Sequence, residues 1–339
     1  MEIPGEGHDG LPEARHVWEA RKRIAPYILR TPLVFSQHLS ELLGAEIYLK
    51  LENLQEIGAF KIRGAANRIL SLSEDERKRG VTTYSTGNHA QAVACMARRL
   101  GIKASVFVSD RVPEAKLEAI RRWGADVRIA GTSQDEAETY CRELAGREGM
   151  AVVAPFDDPL IIAGQGTIGL EILEDLPCVD SVVVPTSGGG LISGIALAVK
   201  ANIPGAKVTG VSMEKGAVMY ESLKAGKPVA LEESDTLADS LLGGIGLENR
   251  YTFPLVRRLV DGIALVPEKE IARGMAFLLR KHKIAVEGAA ATGPGALLSG
   301  IVLPGAKTAV VITGCNVSTD VFLETVNAVW QRRKGASIL

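Results

Sequence analysis

Three short stretches of this 339-residue chain combine residue types that could do chemistry. In the first, Glu52-Asn53-Leu54-Gln55-Glu56-Ile57-Gly58-Ala59-Phe60-Lys61-Ile62-Arg63-Gly64-Ala65, Lys61 stands where a helix should begin, among apolar and small neighbours. A lysine is ordinarily a solvated surface residue. An apolar surround would instead depress its pKa and leave a neutral amine able to form a Schiff base. The second stretch is Pro185-Thr186-Ser187-Gly188-Gly189-Gly190-Leu191, which follows an apolar run and opens a helix over 192–200. It is at the least a tight strand-to-helix turn. Its consecutive glycines would also let backbone N–H groups close around a phosphate at the positive end of that helix. No Gly-Lys-Ser/Thr follows, which excludes a Walker loop. Gly188, Gly190 and Gly194, with Glu214 further on, miss the dinucleotide fingerprint by one residue. The third stretch is Ser85-Thr86-Gly87-Asn88-His89. It suits a simple N-cap, and it equally suits a carboxylate bound at a helix start. His89 taken alone reads as a structural histidine. A phosphate loop, a carboxylate loop and a desolvated lysine together point to pyridoxal phosphate chemistry on an amino acid.

These stretches need elements to hold them. From about residue 46 the chain alternates short β-branched runs with amphipathic stretches. Strands are expected at 47–51, 81–85, 104–109, 126–130, 151–154, 181–185, 208–213, 263–266 and 308–313. Val182-Val183-Val184 and Ala309-Val310-Val311-Ile312 are continuously apolar, as strands covered by helices on both faces are. Ala137, Tyr140, Cys141, Leu144 and Ala145 fall on one helical face, and a helix with a basic end is expected from Asp320 to about Arg333. Strict βα alternation means parallel strands with right-handed crossovers. So many strands exceed one comfortable sheet, so the expectation is an α/β fold with two open parallel-type sheets flanked by helices. Ligands gather beyond the carboxyl ends of such strands, and the glycines concentrate there.

Composition narrows the partners. Lys and Arg number 39 against 40 Asp and Glu, a net charge of −1 that offers no global attraction to nucleic acid or an anionic membrane. No apolar run approaches the ~20 residues that span a bilayer, and Met1 to Pro12 contains no secretion signal. Cys95, Cys141, Cys178 and Cys315 form no C-x-x-C pair, so neither a metal ribbon nor a disulfide framework is expected. The reading is a cytoplasmic protein with reduced thiols and a small-molecule substrate.

Lys50-Leu51-Glu52-Asn53-Leu54-Gln55 running into Gly58–Ala65 closely resembles the pyridoxal-lysine motif of the threonine/serine dehydratase family, which includes serine racemases and shares the tryptophan-synthase-β fold. The resemblance continues through Ser85–His89, Gly164-Gln165-Gly166-Thr167, Ser187–Leu191, Thr236-Leu237-Ala238-Asp239 and Thr313-Gly314-Cys315-Asn316, and covers roughly residues 20 to 315. It implies fold type II of the pyridoxal 5′-phosphate enzymes. The cofactor would lie between a large domain (1–79 and 158–339) and a small mobile one (80–157). Lys61 would carry the cofactor and then remove the Cα proton. Ser187, Gly188, Gly189, Gly190 and Leu191 would hold the phosphate, Asn88 the 3′-oxygen and Thr313 the pyridine nitrogen, with Phe60 beside the ring and Glu287 on the cofactor side. Ser85, Thr86, Gly87 and His89 would bind the substrate carboxylate. A neutral hydroxyl at Thr313 makes a weaker electron sink than an aspartate would. The implied outcome is α,β-elimination of water from a β-hydroxy amino acid such as L-threonine or L-serine, giving a 2-oxo acid and ammonia.

Departures from the family pattern sharpen the reading. Thr86 stands where threonine dehydratases typically have Ala and serine racemases Ser; its hydroxyl would serve as a carboxylate ligand or as an acid on the second face. Racemisation with dehydratase side activity is therefore the alternative. Ala59 replaces the usual Ser and Ser187 the first of four glycines, and neither should abolish cofactor binding. Ser212, Gly216 and Val218 lack the oxygens of the family's divalent-cation site, so no metal is expected. Ser240 replaces a common Gly in the loop facing the substrate side chain. The runs 212–217 and 239–253 look like the hydroxyectoine-utilisation dehydratase branch, whose presumed substrate is a 3-hydroxy-2,4-diaminobutyrate derivative; Glu287 would help place the extra amine. Ending at Leu339, the chain has no room for a C-terminal regulatory domain, and a homodimer is the family expectation. A nucleotide-dependent oxidoreductase, resting on the glycine loop alone, and a silent amino-acid-binding protein are the readings from other classes.

Overall fold

A computed structural model describes residues 7, 9–85, 87–110, 112, 114–132 and 134–335. Ten strands appear among these residues: β1 (Leu33–Phe35), β2 (Glu46–Leu51), β3 (Val81–Tyr84), β4 (Ala104–Val108), β5 (Asp126–Ile129), β6 (Ala151–Val152), β7 (Ser181–Pro185), β8 (Lys207–Met213), β9 (Gly262–Val266) and β10 (Lys307–Ile312). They form two sheets, one ordered β1-β2-β10-β7-β8-β9 and the other β5-β4-β3-β6. Every pairing is parallel except β1 with β2. All nine expected strands are present, with ends shifted by one or two residues; Ser85 and Thr313 lie just past their strands, in the loops. β1 was not expected. It is a three-residue edge strand with Val34 and Phe35 exposed, too short to show a period.

Helices cover both faces of the larger sheet. One apolar cluster joins Leu49, Val310 and Val183 to Met275 and Ala290, and another joins Val182, Val184 and Ala309 to Ile192 and Ile168. Tyr140 departs from its expected place. In the helix Gln134–Glu148, Ala137, Cys141 and Leu144 are buried but Tyr140 is 48% exposed, because it sits at the margin of the apolar stripe where a bulky ring can turn outward.

Close helix crossings bring the site's parts together. The helix Pro159–Asp175 is capped by Asp158, whose Oδ1 accepts from Leu160 N (2.8 Å) and Ile161 N (3.0 Å). It crosses the helix Gly190–Asn202 where a methyl on Gly194 would stand 2.3 Å from Ile162 O. It meets the helix Ile62–Leu70 where one on Gly164 would stand 2.7 Å from Arg63 O. Only glycine permits such backbone approach.

At the second crossing lies a buried ion network. Arg63, 1% exposed, bonds Glu52 through Nε (2.8 Å) and Nη2 (2.7 Å), and Glu171 through Nη1 (2.6 Å) and Nη2 (2.9 Å). Lys50, fully buried, bonds Glu171 Oε2 (2.5 Å) and Thr31 O (2.6 Å). Two cations and two carboxylates close the network at zero net charge. Among the described residues, no helix is long and apolar enough to cross a membrane, and no three His, Cys, Asp or Glu side chains gather as a metal site would require.

Candidate active site

The site begins with a meeting of two segments more than 250 residues apart in the chain. Residues 58–60 run antiparallel to 313–315: Ala59 bridges Gly314, Phe60 N donates to Thr313 O (3.0 Å) and Cys315 N to Gly58 O (2.9 Å). Lys61 follows at once as the first residue before the helix Ile62–Leu70. Its Nζ donates to Pro155 O at 2.8 Å and lies 5.4 Å from the centre of the Phe60 ring. The residue as a whole is half-buried, but the ammonium is enclosed. Burial lowers the Lys61 pKa from 10.5 to about 8, against a smaller upward pull from Glu287.

Thr313, at the end of β10, is 3% exposed, and its Oγ1 has no partner. A buried hydroxyl without a partner is costly, and it marks a place built for a group not supplied by the chain.

The glycine loop leaves the end of β7, the strand beside β10 in the sheet. Gly189 has φ +86°, and a methyl there would stand 2.8 Å from Met219 Cε; one on Gly188 would stand 2.5 Å from the Phe156 ring. The loop is thus clamped between Phe156 on one side and Met219, Thr252 and Val256 on the other. Gly188 to Leu191 lead into the helix Gly190–Asn202, whose first N–H groups have no intrahelical partner. An oxyanion would find backbone donors there without a basic side chain.

The third loop lies between β3 and the helix Asn88–Arg99. Ser85 is half-buried, and Gly87 precedes the helix with open space where a Cβ would be. Thr86 lies outside the described residues. His89 is 2% exposed, and its Nε2 is 3.0 Å from Val153 O. A carbonyl only accepts, so Nε2 carries the hydrogen and Nδ1 is bare; Nδ1 is buried without a partner. Burial above all, then the nearby Lys61 charge, lowers the His89 pKa to about 3. The ring is neutral with Nε2 committed, so it offers a carboxylate no donor, and only the backbone N–H of this residue can serve one.

Asn88 and Glu287 connect the third loop to the bridge. Asn88 Nδ2 is 3.1 Å from both Glu287 carboxylate oxygens, and Asn316 Nδ2 is 2.6 Å from Asn88 Oδ1 and 2.8 Å from Ile57 O. Burial raises Glu287 to about 7, only partly offset by the Asn88 hydrogen bond. A methyl on Gly288 would stand 2.0 Å from Leu237 O, an approach that sets the turn Asp239–Leu241 beside Glu287. The exposed Ser240 stands in this turn, its Oγ donating to Asp239 Oδ1 (3.4 Å). Asp239 pairs with Lys116 (3.0 Å) on the helix Glu114–Arg121, which flanks the four-stranded sheet. Ser212, read as a lost cation ligand, is buried in β8 with Oγ 3.4 Å from Met213 Sδ.

Of the described residues singled out from the sequence, Ser85 and Gly87–His89 follow β3, Ser187–Leu191 follow β7 and Thr313 follows β10, with Phe60 and Lys61 at the bridge. Ser240 comes instead from the turn Asp239–Leu241, and Glu287 from the start of the helix Gly288–Leu298. The sequence did not single out Val153, Pro155 and Phe156, which anchor His89, Lys61 and the glycine loop, nor a part for Asn316. Backbone carbonyl anchors leave no trace in residue type, whereas Asn316 stood in a noted motif. The unpartnered Thr313 hydroxyl, the backbone cradle and the enclosed amine fit pyridoxal 5′-phosphate in its ring nitrogen, phosphate and aldehyde carbon respectively.

Comparison with known proteins agrees with that fit. The family model described as "Pyridoxal-phosphate dependent enzyme" matches residues 24–314. An L-threonine ammonia-lyase of Thermotoga maritima is 45% identical over 309 residues, covering 91% of this chain and 77% of that one. Among solved structures, maize serine racemase superimposes with a TM-score of 0.86 at 33% identity, over 95% of this chain and 99% of the other. The processed form of threonine deaminase isoform 2 from Solanum lycopersicum gives 0.86 at 32% identity, over 94% and 88%.

Proposed function

Since this chain belongs to the pyridoxal-phosphate dependent enzyme family, we propose that it eliminates water from a β-hydroxy-α-amino acid of the L-threonine or L-serine type, releasing a 2-oxo acid and ammonia. The observation that carries this reading is the bridge between residues 58–60 and 313–315, which sets an amine of lowered pKa beside an unpartnered hydroxyl. The likeness to an L-threonine ammonia-lyase supports it.

In this reading Lys61 holds the cofactor and afterwards takes the substrate's Cα proton on Nζ, for which a pKa near neutrality is suited. Bound there, pyridoxal 5′-phosphate supplies an electron sink for Cα and a phosphate close to the departing hydroxyl. Phe60 packs beside the ring, Asn88 donates to the 3′-oxygen, and Thr313 Oγ1 meets the ring nitrogen. Ser187 to Leu191 hold the phosphate through N–H groups. Glu287 lies on the cofactor side as a carboxylate that receives the Asn88 amide. Ser85, Thr86, Gly87 and the His89 backbone receive the substrate carboxylate at a helix start. The unit 80–157 moves relative to the rest, with cofactor and substrate between the two, and the Lys116–Asp239 pair spans the mouth. A homodimer is part of the reading, supported by the exposed Phe35 and Leu42, and sedimentation would test it.

The finer reading is a substrate with a second amine, as in a 3-hydroxy-2,4-diaminobutyrate derivative of hydroxyectoine breakdown. Glu287 and Asp239 support it, because two carboxylates beside Ser240 suit an ammonium on the side chain. The test is a panel of β-hydroxy amino acids, including the diamino acid and its N-acetylated form, assayed for ammonia and 2-oxo acid. Turnover of threonine and serine at equal or better efficiency would sink the diamino reading. Racemisation is the second reading, supported by the likeness to maize serine racemase; following chirality alongside 2-oxo acid from L- and D-serine separates the two.

A further inference from the structure

The geometry points to Asn316 as a positioning residue that decides which atom of the Asn88 amide faces the cofactor. This rests on the reading that Asn88 meets the 3′-oxygen. An asparagine amide has two nearly isosteric ends, one donating and one accepting, and isolated packing does not choose between them. Here the choice is made by a directed chain of hydrogen bonds. Ile57 O only accepts, so the Asn316 atom 2.8 Å away is its nitrogen. That nitrogen has a second hydrogen, aimed at Asn88 2.6 Å away, and the atom receiving it must be Oδ1. Asn88 Nδ2 is then forced to the opposite side, where it lies 3.1 Å from each Glu287 oxygen. The chain runs from Asn316 to both Ile57 and Asn88, and from Asn88 onward to Glu287.

With Glu287 ionised, its acceptor oxygens also hold Nδ2 in place. Once Glu287 is protonated it can donate to Oδ1, and removing Asn316 then frees Asn88 to turn over and present Oδ1 to the phenolate oxygen, repelling it instead of donating to it. A residue that merely stabilised the loop would not care which end of Asn88 faces the ring. The loop itself is tied down independently by the bridge at Ala59 and Gly314.

The readout, taken at about pH 6 where Glu287 is mostly protonated, is the ratio of affinities of the cofactor-free protein for pyridoxal 5′-phosphate and for its analogue lacking the 3-oxygen, by absorbance titration. Damage to the fold weakens both affinities together and leaves the ratio alone. The unaltered protein should prefer the natural cofactor by about tenfold, the value of one hydrogen bond to a charged acceptor. The preference should vanish in Asn88→Ala and in Asn316→Ala. If Asn316→Ala does not yield folded protein, Asn316→Asp keeps the volume but can only accept, so it should turn Asn88 over and abolish the preference too. Preference lost in Asn88→Ala but kept in either Asn316 variant overturns the proposal while leaving the reading of Asn88 standing. No preference in the unaltered protein, or one that survives Asn88→Ala, overturns that reading and the proposal with it.

Discussion

Only the neutral form of Lys61 can attack the cofactor's aldehyde, so cofactor uptake reports its pKa. Enclosure lowers that pKa from 10.5 to about 8, and the Glu287 carboxylate pulls the other way. At pH 7 an amine of pKa 8 is neutral about one time in ten, and one of 10.5 about three times in ten thousand, a difference on the order of 300-fold. Mixing cofactor-free protein with pyridoxal 5′-phosphate and following the absorbance near the visible edge gives the rate. It should climb about tenfold per pH unit below the pKa and level off above about pH 8.5. Glu287, raised to about 7, is charged across that break. Glu287→Gln removes a charge that raises the lysine, so the break should move to lower pH. A rate still climbing at pH 10, or a break that moves upward in Glu287→Gln, would refute the idea that enclosure activates Lys61. Lys61→Ala, which should leave the free cofactor's own band unshifted, supplies the baseline.

Three further outcomes are expected. Arg63→Met leaves Glu52 and Glu171 facing each other with only Lys50 between them, and should cost about 3–5 kcal/mol in urea unfolding, with Arg63→Lys falling between it and the unaltered protein. His89 has a folded pKa of about 3 against 6.5 unfolded, so its share of stability is present above pH 6.5 and lost as pH falls toward 3. Between pH 7 and pH 5 that share is about 2 kcal/mol, and His89→Gln, which keeps a donor for Val153 O, should lose that much less on acidification in parallel urea titrations. Lys116→Ala breaks an ion pair whose side chains are over 40% exposed, so unfolding should shift by less than about 1 kcal/mol. The Michaelis constant should nonetheless rise if, as proposed, the contact spans the mouth of a cleft between two mobile units.

Local pattern revealed a great deal here. Apolar runs and helical periods located nine strands because each is a property of adjacent residues. The company of Ala59, Phe60 and Ile62 foretold an enclosed lysine for the same reason. What local pattern did not reveal is apposition; for Thr313 and Lys61 it came from the family resemblance alone. That β10 inserts between β2 and β7, that Thr313 ends beside Lys61, and that Asn316 steers Asn88 all depend on contacts between distant segments. Those contacts follow from how the sheet is assembled, and no spacing in the chain encodes them. His89 illustrates the limit well: its type suggested a ligand or a core residue, and only the Val153 carbonyl decides its tautomer.

The position of β10 also governs when the enzyme can exist. It is the tenth strand in the chain, yet it lies in the interior of the six-stranded sheet, pairing with β2 on one side and β7 on the other. Until residues 307–312 leave the ribosome, the antiparallel β1-β2 pair and the β7-β8-β9 group have no shared partner. They must wait with open edges, the condition that invites mispairing and aggregation. The chain therefore closes its sheet and completes its catalytic centre in one late step. A nascent chain stalled before residue 307 should hold the four-stranded sheet but no competent site, and folding of this protein should lean on whatever shields those edges in the interval.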